Sequence, residues 1–219
     1  MPEAVPAHAP MRSTDDAGVR REKAVLRARV RAARRVPEAT VATARRTARA
    51  LAVSDEHDTV ALYASLGDEP DTWSLIDALH ASGHTVLLPV LGRHPDGAAR
   101  RHPDWARYAG RAALRVGYAG IEEPTTEALG ANALSAASLV WCSGLAATPD
   151  GDRLGSGGGW YDRALTYAHA DALIGVLLRD TEVLARVPVE PFDRRIGVIV
   201  TDSRTLRLPV APERSPGWG

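Results

Sequence analysis

The sequence predicts an α/β protein: a mainly parallel sheet covered by helices on both faces. Two observations carry this. Short apolar runs with the character of buried strands alternate with segments of helical periodicity, the rhythm of parallel crossovers. The chain has 219 residues, 45% apolar and 25% charged, which is enough for one fully cored domain of ordinary composition.

Each element follows in order. Residues 1–18, rich in Pro, Ala and polar groups, are expected to form a disordered extension. From Val19, "VRREKAVLRARVRAARR" places Val19, Ala24 or Val25, Leu26 and Val30 at helical spacing, with basic residues between them. Taken alone, that Arg/Lys run reads as a solvated helix face. Pro37 opens a second helix over 37–53, with Glu38 complementing its dipole. "TVALYAS" (59–65) is a strand, "DTWSLIDALHASG" (71–83) a helix ending at Gly83, and "HTVLLPV" (84–90) the next strand. Residues 91–104 read as a loop. "ASLVWCSGLA" (137–146) is a strand, 159–170 a helix, and 172–179 and 195–202 the last strands. No repeat or linker divides the chain, so residues 19–205 are expected to fold as one domain, followed by a tail at 206–219.

Formal charge is balanced, with 27 basic and 27 acidic residues, so no global field attracts nucleic acid or an anionic membrane. An anionic ligand needs a local site. The single cysteine, Cys142, excludes an intramolecular disulfide and a multi-cysteine metal site, and its apolar setting reads as core. No run approaches the roughly 18 apolar residues of a membrane span, and the N-terminus has no apolar signal core. A cytoplasmic protein is expected. The seven histidines show no ligand spacing.

The densest chemistry lies in "GDRLGSGGGWYDRA" (151–164), between a strand and a helix. Ligands of open α/β sheets sit there, beyond the carboxyl ends of strands. Amides at a helix start bind phosphate, and glycines let backbone approach it closely. Arg153 adds charged donors, and Asp162 an oxygen ligand suited to Mg²⁺. No Gly-Lys-Ser/Thr ending makes this a P-loop, and G-S-G-G-G misses the dinucleotide spacing. Flexible loop and phosphate cradle both remain open on glycine density alone; the flanking Arg and Asp favour the cradle.

"RLGSGGGWYDR" (153–163) resembles the signature of the 5-formyltetrahydrofolate cyclo-ligase family, also called 5,10-methenyltetrahydrofolate synthetase: Arg-Leu-Gly-x-Gly-x-Gly-Tyr-Tyr-Asp. Four further segments resemble the family in the same order: "KAVLR" (23–27), "LGDEPDT" (66–72), "GIEEP" (120–124) and "VPVEPFD" (187–193). The resemblance implies a three-layer αβα fold of the NagB/RpiA/CoA-transferase-like kind. It also implies an ATP- and Mg²⁺-dependent ligase that converts 5-formyltetrahydrofolate to 5,10-methenyltetrahydrofolate, releasing ADP and phosphate. In that family ATP phosphorylates the formyl oxygen and N10 closes the ring.

By the same resemblance, Lys23, Ala24, Val25, Leu26 and Arg27 match the ATP-contacting helix. Arg153, Leu154, Gly155, Ser156, Gly157, Gly158, Gly159, Trp160 and Tyr161 match the nucleotide loop. Glu69 matches the folate-binding Glu, with Gly157, Gly158, Gly159 and Trp160 also touching substrate. Arg153 and Asp162 are the catalytic expectations, and Asp162 and Asp193 the metal ligands. Asp162 can otherwise be a first-turn helix charge, and Asp193 a loop residue paired with Arg194 or Arg195. The implied partners are small molecules only, and the expected state is a monomer.

The chain departs from the family pattern at Ser156, Trp160, Ala147, Thr148 and Gly197, the last standing where a second Asp is usual. Those departures keep a second reading open, a weakly active or inactive relative that binds nucleotide or folate as a regulator. A third, an RNA-binding module using the basic 20–35 helix, predicts steeply salt-dependent binding.

Overall fold

The computed structural model describes residues 14–94, 96–190 and 193–208, with the side chains of 14–16 left aside. Its strands, in chain order, are β1 (Thr59–Leu62), β2 (Thr85–Pro89), β3 (Trp105–Arg107), β4 (Leu114–Val116), β5 (Glu122–Pro124), β6 (Leu139–Cys142), β7 (Ala146–Ala147), β8 (Arg153–Leu154), β9 (Leu173–Leu177), β10 (Val198–Val200) and β11 (Thr205–Arg207). The helices are α1 (Thr14–Arg34), α2 (Thr40–Ser54), α3 (Trp73–Ala81) and α4 (Trp160–Ala164).

Seven strands form the main sheet in the order β11-β10-β9-β6-β1-β2-β3. The five inner strands run parallel, and β3 and β11 close the edges antiparallel. Alternation sends successive side chains to opposite faces. Val60 and Leu62 pack with Leu75, Ile76 and Leu79 of α3 and Ala50 and Val53 of α2. Ala61, Val140, Cys142 and Val176 pack on the other face with Tyr161, Ala164 and Leu165. The result is the expected three-layer α/β architecture. Gly175 lets two of its strands pack closely: a Cβ there would stand 2.6 Å from the ring of Trp141, its register partner in β6. Trp141 in turn donates through Nε1 to Ser54 Oγ at 3.0 Å, joining sheet to α2.

α1 lies outside these layers. Leu26 and Val30 pack with Leu145, Ala146 and Leu154 of the small β7–β8 ribbon. α1 begins at Thr14, so residues 14–18 of the expected extension are helical; the earlier ones lie outside the described residues. Leu206 and Arg207, expected in the tail, belong to β11, and 209–219 lie outside the described residues.

Three expectations need correction. Val25 is 67% exposed, whereas Lys23 and Arg34 of the supposed solvated face are buried, because each meets carboxylates supplied by distant segments. α2 starts at Thr40, and Glu38 sits ahead of it, bound to the buried Arg46 and to Thr43 rather than to the helix end. α4 spans five residues and passes into a 3₁₀ turn, so its dipole is small.

Candidate functional site

A cleft of about 710 Å³ opens at the carboxyl ends of β1, β2 and β6, where Tyr63, Val90 and Ser143 reach its wall. The parallel strands end there, so the loops that follow them converge on one side of the sheet.

The glycine stretch lines this cleft from Gly155 through Asp162. Its shape is set by α1. Arg27 Nε donates to the Gly155 carbonyl at 2.9 Å, and Arg31 Nη2 to the Ser156 carbonyl at 2.7 Å. Gly157 (φ +106°) and Gly159 (φ +62°) take left-handed conformations that suit glycine. With its carbonyls tied back, the loop leaves the amides of Ser156, Gly157, Gly158 and Gly159 without an acceptor among the described residues. Grouped backbone donors of this kind can hold an anion without the help of a helix dipole.

Arg153 stands beneath it, nearly buried, and bridges two elements. Nη1 donates to the Ser143 carbonyl at 3.0 Å, and Nη2 pairs with Asp162 Oδ1 at 2.7 Å. Its Nε has no partner among the described residues, one donor still unsatisfied. Asp162 Oδ2 likewise accepts nothing among them. Trp160 and Tyr161 stack edge to face at 4.9 Å and meet Trp105 at 5.1 and 6.4 Å. Burial pushes the Tyr161 phenol well above its ordinary value, and its hydroxyl also lacks a partner among the described residues.

Lys23, four residues before Arg27 and on the same helix face, lines the cleft with it. Its ammonium donates to Glu190 Oε2 and Asp193 Oδ2, both at 2.7 Å. Asp193 therefore pairs with Lys23, not with Arg194 or Arg195. Asp193 Oδ2 also accepts from the Glu190 amide, leaving Oδ1 without a donor among the described residues. Burial pushes the Glu190 carboxyl up, but the hydrogen bond and charge of Lys23, with Arg20, outweigh it and hold it below its ordinary value.

Glu69 closes a tight turn, accepting from the Leu66 amide at 3.0 Å. Burial pushes its carboxyl above the ordinary range, against that hydrogen bond and the charge of Arg34. It lines the same cleft.

Four expected nucleotide contacts fall elsewhere. Ala24 and Val25 point to solvent, while Leu26 and Leu154 pack in the cluster under α1. Helical spacing puts residues 23 and 27 on one face and removes 24–26 from it. Gly197 does not line the cleft: a Cβ there would stand 2.8 Å from Leu173, so the missing second Asp removes no cleft group. Arg34, read with the solvated face, is buried against Glu182, whereas Arg31 stays exposed as that reading expects while donating to the Ser156 carbonyl. Glu190, Tyr118 and Arg101 line the cleft without having been singled out in the sequence. Glu190 lay inside a quoted segment but had no carboxylate spacing to mark it. Cys142 is buried in the core, its thiol pushed up to about 12 by burial, as its apolar setting predicts.

Fold and cleft together define an α/β protein whose glycine loop presents backbone donors to a cleft of mixed polar and apolar lining. The chain belongs to the 5-formyltetrahydrofolate cyclo-ligase family, whose profile matches residues 13–202, and it is thereby an enzyme of the ligase class. It is 34% identical over 149 residues to the 5-formyltetrahydrofolate cyclo-ligase of Mycolicibacterium smegmatis, covering 68% of this chain and 75% of that protein. It is 32% identical over 147 residues to the Escherichia coli K12 protein of the same name, covering 67% and 79%. In structure it is similar to Aquifex aeolicus 5,10-methenyltetrahydrofolate synthetase, with TM-score 0.71 and 24% identity over 90% of this chain and 99% of that one. Among the described residues, no helix is long and apolar enough to cross a membrane.

Proposed function

We propose that the cleft converts 5-formyltetrahydrofolate to 5,10-methenyltetrahydrofolate at the expense of ATP, releasing ADP and phosphate. Family membership supports the substrate and the reaction. The observation that carries the nucleotide half is the loop of four amides without acceptors among the described residues, held open by Arg27 and Arg31 beside Arg153.

A formamide carbonyl is a poor electrophile; phosphorylating its oxygen turns that oxygen into a leaving group. N10 then attacks the activated carbon, the C–O bond breaks, phosphate leaves, and the five-membered ring closes. The chain's task is positioning and charge neutralisation. The loop amides hold phosphate oxygens, and Arg153 neutralises charge on the transferred group. Lys23 keeps one of its three ammonium protons free of Glu190 and Asp193 for the same purpose. Glu69 accepts hydrogen bonds from the folate, and Trp160 offers it a ring face.

Among the described residues, no three His, Cys, Asp or Glu side chains gather into a metal cage. Asp162 Oδ2 and Asp193 Oδ1, two cleft carboxylate oxygens without donors among the described residues, fit Mg²⁺, which takes one or two carboxylates and completes its shell with phosphate and water. Bound there, Mg²⁺ would neutralise phosphate charge. The reading further assigns residues 19–205 to one catalytic domain, acting as a cytoplasmic monomer on small molecules.

The test is a near-ultraviolet assay for the methenyl product with 5-formyltetrahydrofolate, ATP and Mg²⁺. Product that requires all three supports the ligase. Nucleotide binding without product would support the regulator instead.

A further inference from the structure

Glu123, in the "GIEEP" segment, is 1% exposed and touches no ligand space itself. Its carboxylate is nevertheless fully engaged. Oε2 accepts from the amides of Leu91 and Gly92, both at 2.7 Å, and Oε1 accepts from Arg115 Nε and Nη2 at 3.0 and 2.8 Å. Glycine backbone closes around it: a Cβ on Gly92 would stand 2.6 Å from Oε1, and one on Gly117 2.6 Å from the carboxyl carbon.

The two segments so joined both form cleft wall. Val90 and Leu91 continue β2 into the cleft, and Tyr118 and Ile121 reach it from the turn between β4 and β5. Among the described residues, Glu123 is the one side chain that hydrogen-bonds the 91–92 backbone to that turn's ribbon. The turn needs such support. Ala119 within it has φ +54°, the one non-glycine residue with positive φ among those described. Such a conformation persists where its surroundings over-determine it. A buried carboxylate with every lone pair committed is costly to assemble and rigid once assembled.

We propose that Glu123 is a positioning residue that sets the apolar, aromatic wall of the cleft and thereby the affinity for the folate, not for the nucleotide. This rests on the proposed function, in which the glycine loop takes the phosphates, and adds that the wall of Val90, Leu91, Tyr118 and Ile121 takes the flat substrate.

The test compares Glu123→Ala, Glu123→Gln and Gly117→Ala with the wild type in steady-state turnover. It adds titrations of 5-formyltetrahydrofolate and of ADP followed by tryptophan fluorescence. Glu123→Ala is expected to raise KM and Kd for the folate about tenfold, leaving kcat and ADP affinity within about threefold, as misplacement of a binding wall does. Glu123→Gln keeps a carbonyl for the two amides but turns an NH2 toward the Arg115 donors; the half-exposed Arg115 can swing to water, so this variant should recover part of that loss. Gly117→Ala keeps every polar group and displaces the carboxylate by contact, so it should reproduce the Ala variant's effect. KM and Kd report folded molecules only, and a Glu123→Ala protein that fails to fold leaves Gly117→Ala to decide. Folate and ADP affinities falling together, or a Gln variant as impaired as the Ala one, would overturn the role. An unchanged folate KM in Gly117→Ala would do the same. Wild-type turnover judges the proposed reaction separately; if it is absent, the folate-to-ADP contrast in binding still decides the role of Glu123.

Discussion

Arg153 and Asp162 form a 2.7 Å ion pair that fixes the entry to the glycine loop against the first turn of α4. The guanidinium is nearly buried and also holds the Ser143 carbonyl, so its place is set by the end of β6. The Asp162 side chain keeps 31% of its exposure and faces the cleft. Asp162→Asn preserves volume and an acceptor for Arg153. Turnover should fall by about 10²-fold or more, the loss that follows removal of a transition-state charge contact. The midpoint of thermal unfolding should stay within about 4 °C, since part-exposed pairs add little to stability. Near-normal turnover in Asp162→Asn would show the assignment to be wrong.

Lys23 holds Glu190 and Asp193 together, and its removal leaves two carboxylates facing each other. Lys23→Met should weaken ATP binding about tenfold, read by titration at fixed Mg²⁺. It should also change acid stability. The Glu190 carboxyl is held below its ordinary value, so its contribution is complete above about pH 4.3 and lost as pH falls through the lower folded value. Denaturant midpoints measured from pH 6 down to 3 should fall less steeply in Lys23→Met than in wild type.

Glu69 titrates in the opposite sense. Burial raises its carboxyl, so the ionised form that accepts hydrogen bonds appears only as pH rises through a midpoint above the ordinary glutamate value of about 4.3. KM for the folate should therefore fall with rising pH across that midpoint. Glu69→Gln should show a higher KM with no such step. A wild-type KM that is flat over the same range would contradict the role.

Two neighbouring glycines give an internal contrast. Gly157 has φ +106°, a backbone requirement in itself, since a Cβ there would meet the Arg27 guanidinium at an ordinary contact distance of 3.5 Å. Gly158 has open space and no left-handed requirement. Gly157→Ala adds about 1–2 kcal/mol of backbone strain in the loop. It should weaken ATP binding about tenfold, whereas Gly158→Ala should bind within about twofold of wild type. Equal effects would show that loop conformation is not what shapes the cradle.

The inner strands and α3 were legible because each is a continuous or periodic apolar run that needs no partner to be recognised. "TVALYAS" and "HTVLLPV" enclose β1 and β2. β3, β4 and β5 were not, since each has only three residues of mixed character, too short to show a period; β3 is defined by pairing with β2, and β4 and β5 by pairing with each other. The buried charges were hidden for a related reason. Lys23 and Arg34 look like solvent-facing positions of a basic helix until Glu190 and Glu182 arrive from over 140 residues away. Within the site, the glycine loop, Glu69 and Asp193 were accessible through quoted motifs. Helical phase, invisible to a five-residue motif, then separated Lys23 and Arg27 from Ala24, Val25 and Leu26.

The central claim is that the cleft activates the formyl oxygen by phosphoryl transfer. The most direct measurement supplies 5-formyltetrahydrofolate labelled with oxygen-18 in the formyl group, together with ATP and Mg²⁺. Product absorbance and the isotopic mass of the released phosphate are then followed. One labelled oxygen is expected in each phosphate released, matched one to one with methenyl product. Methenyl product accompanied by unlabelled phosphate, or ATP hydrolysis without product, would contradict it.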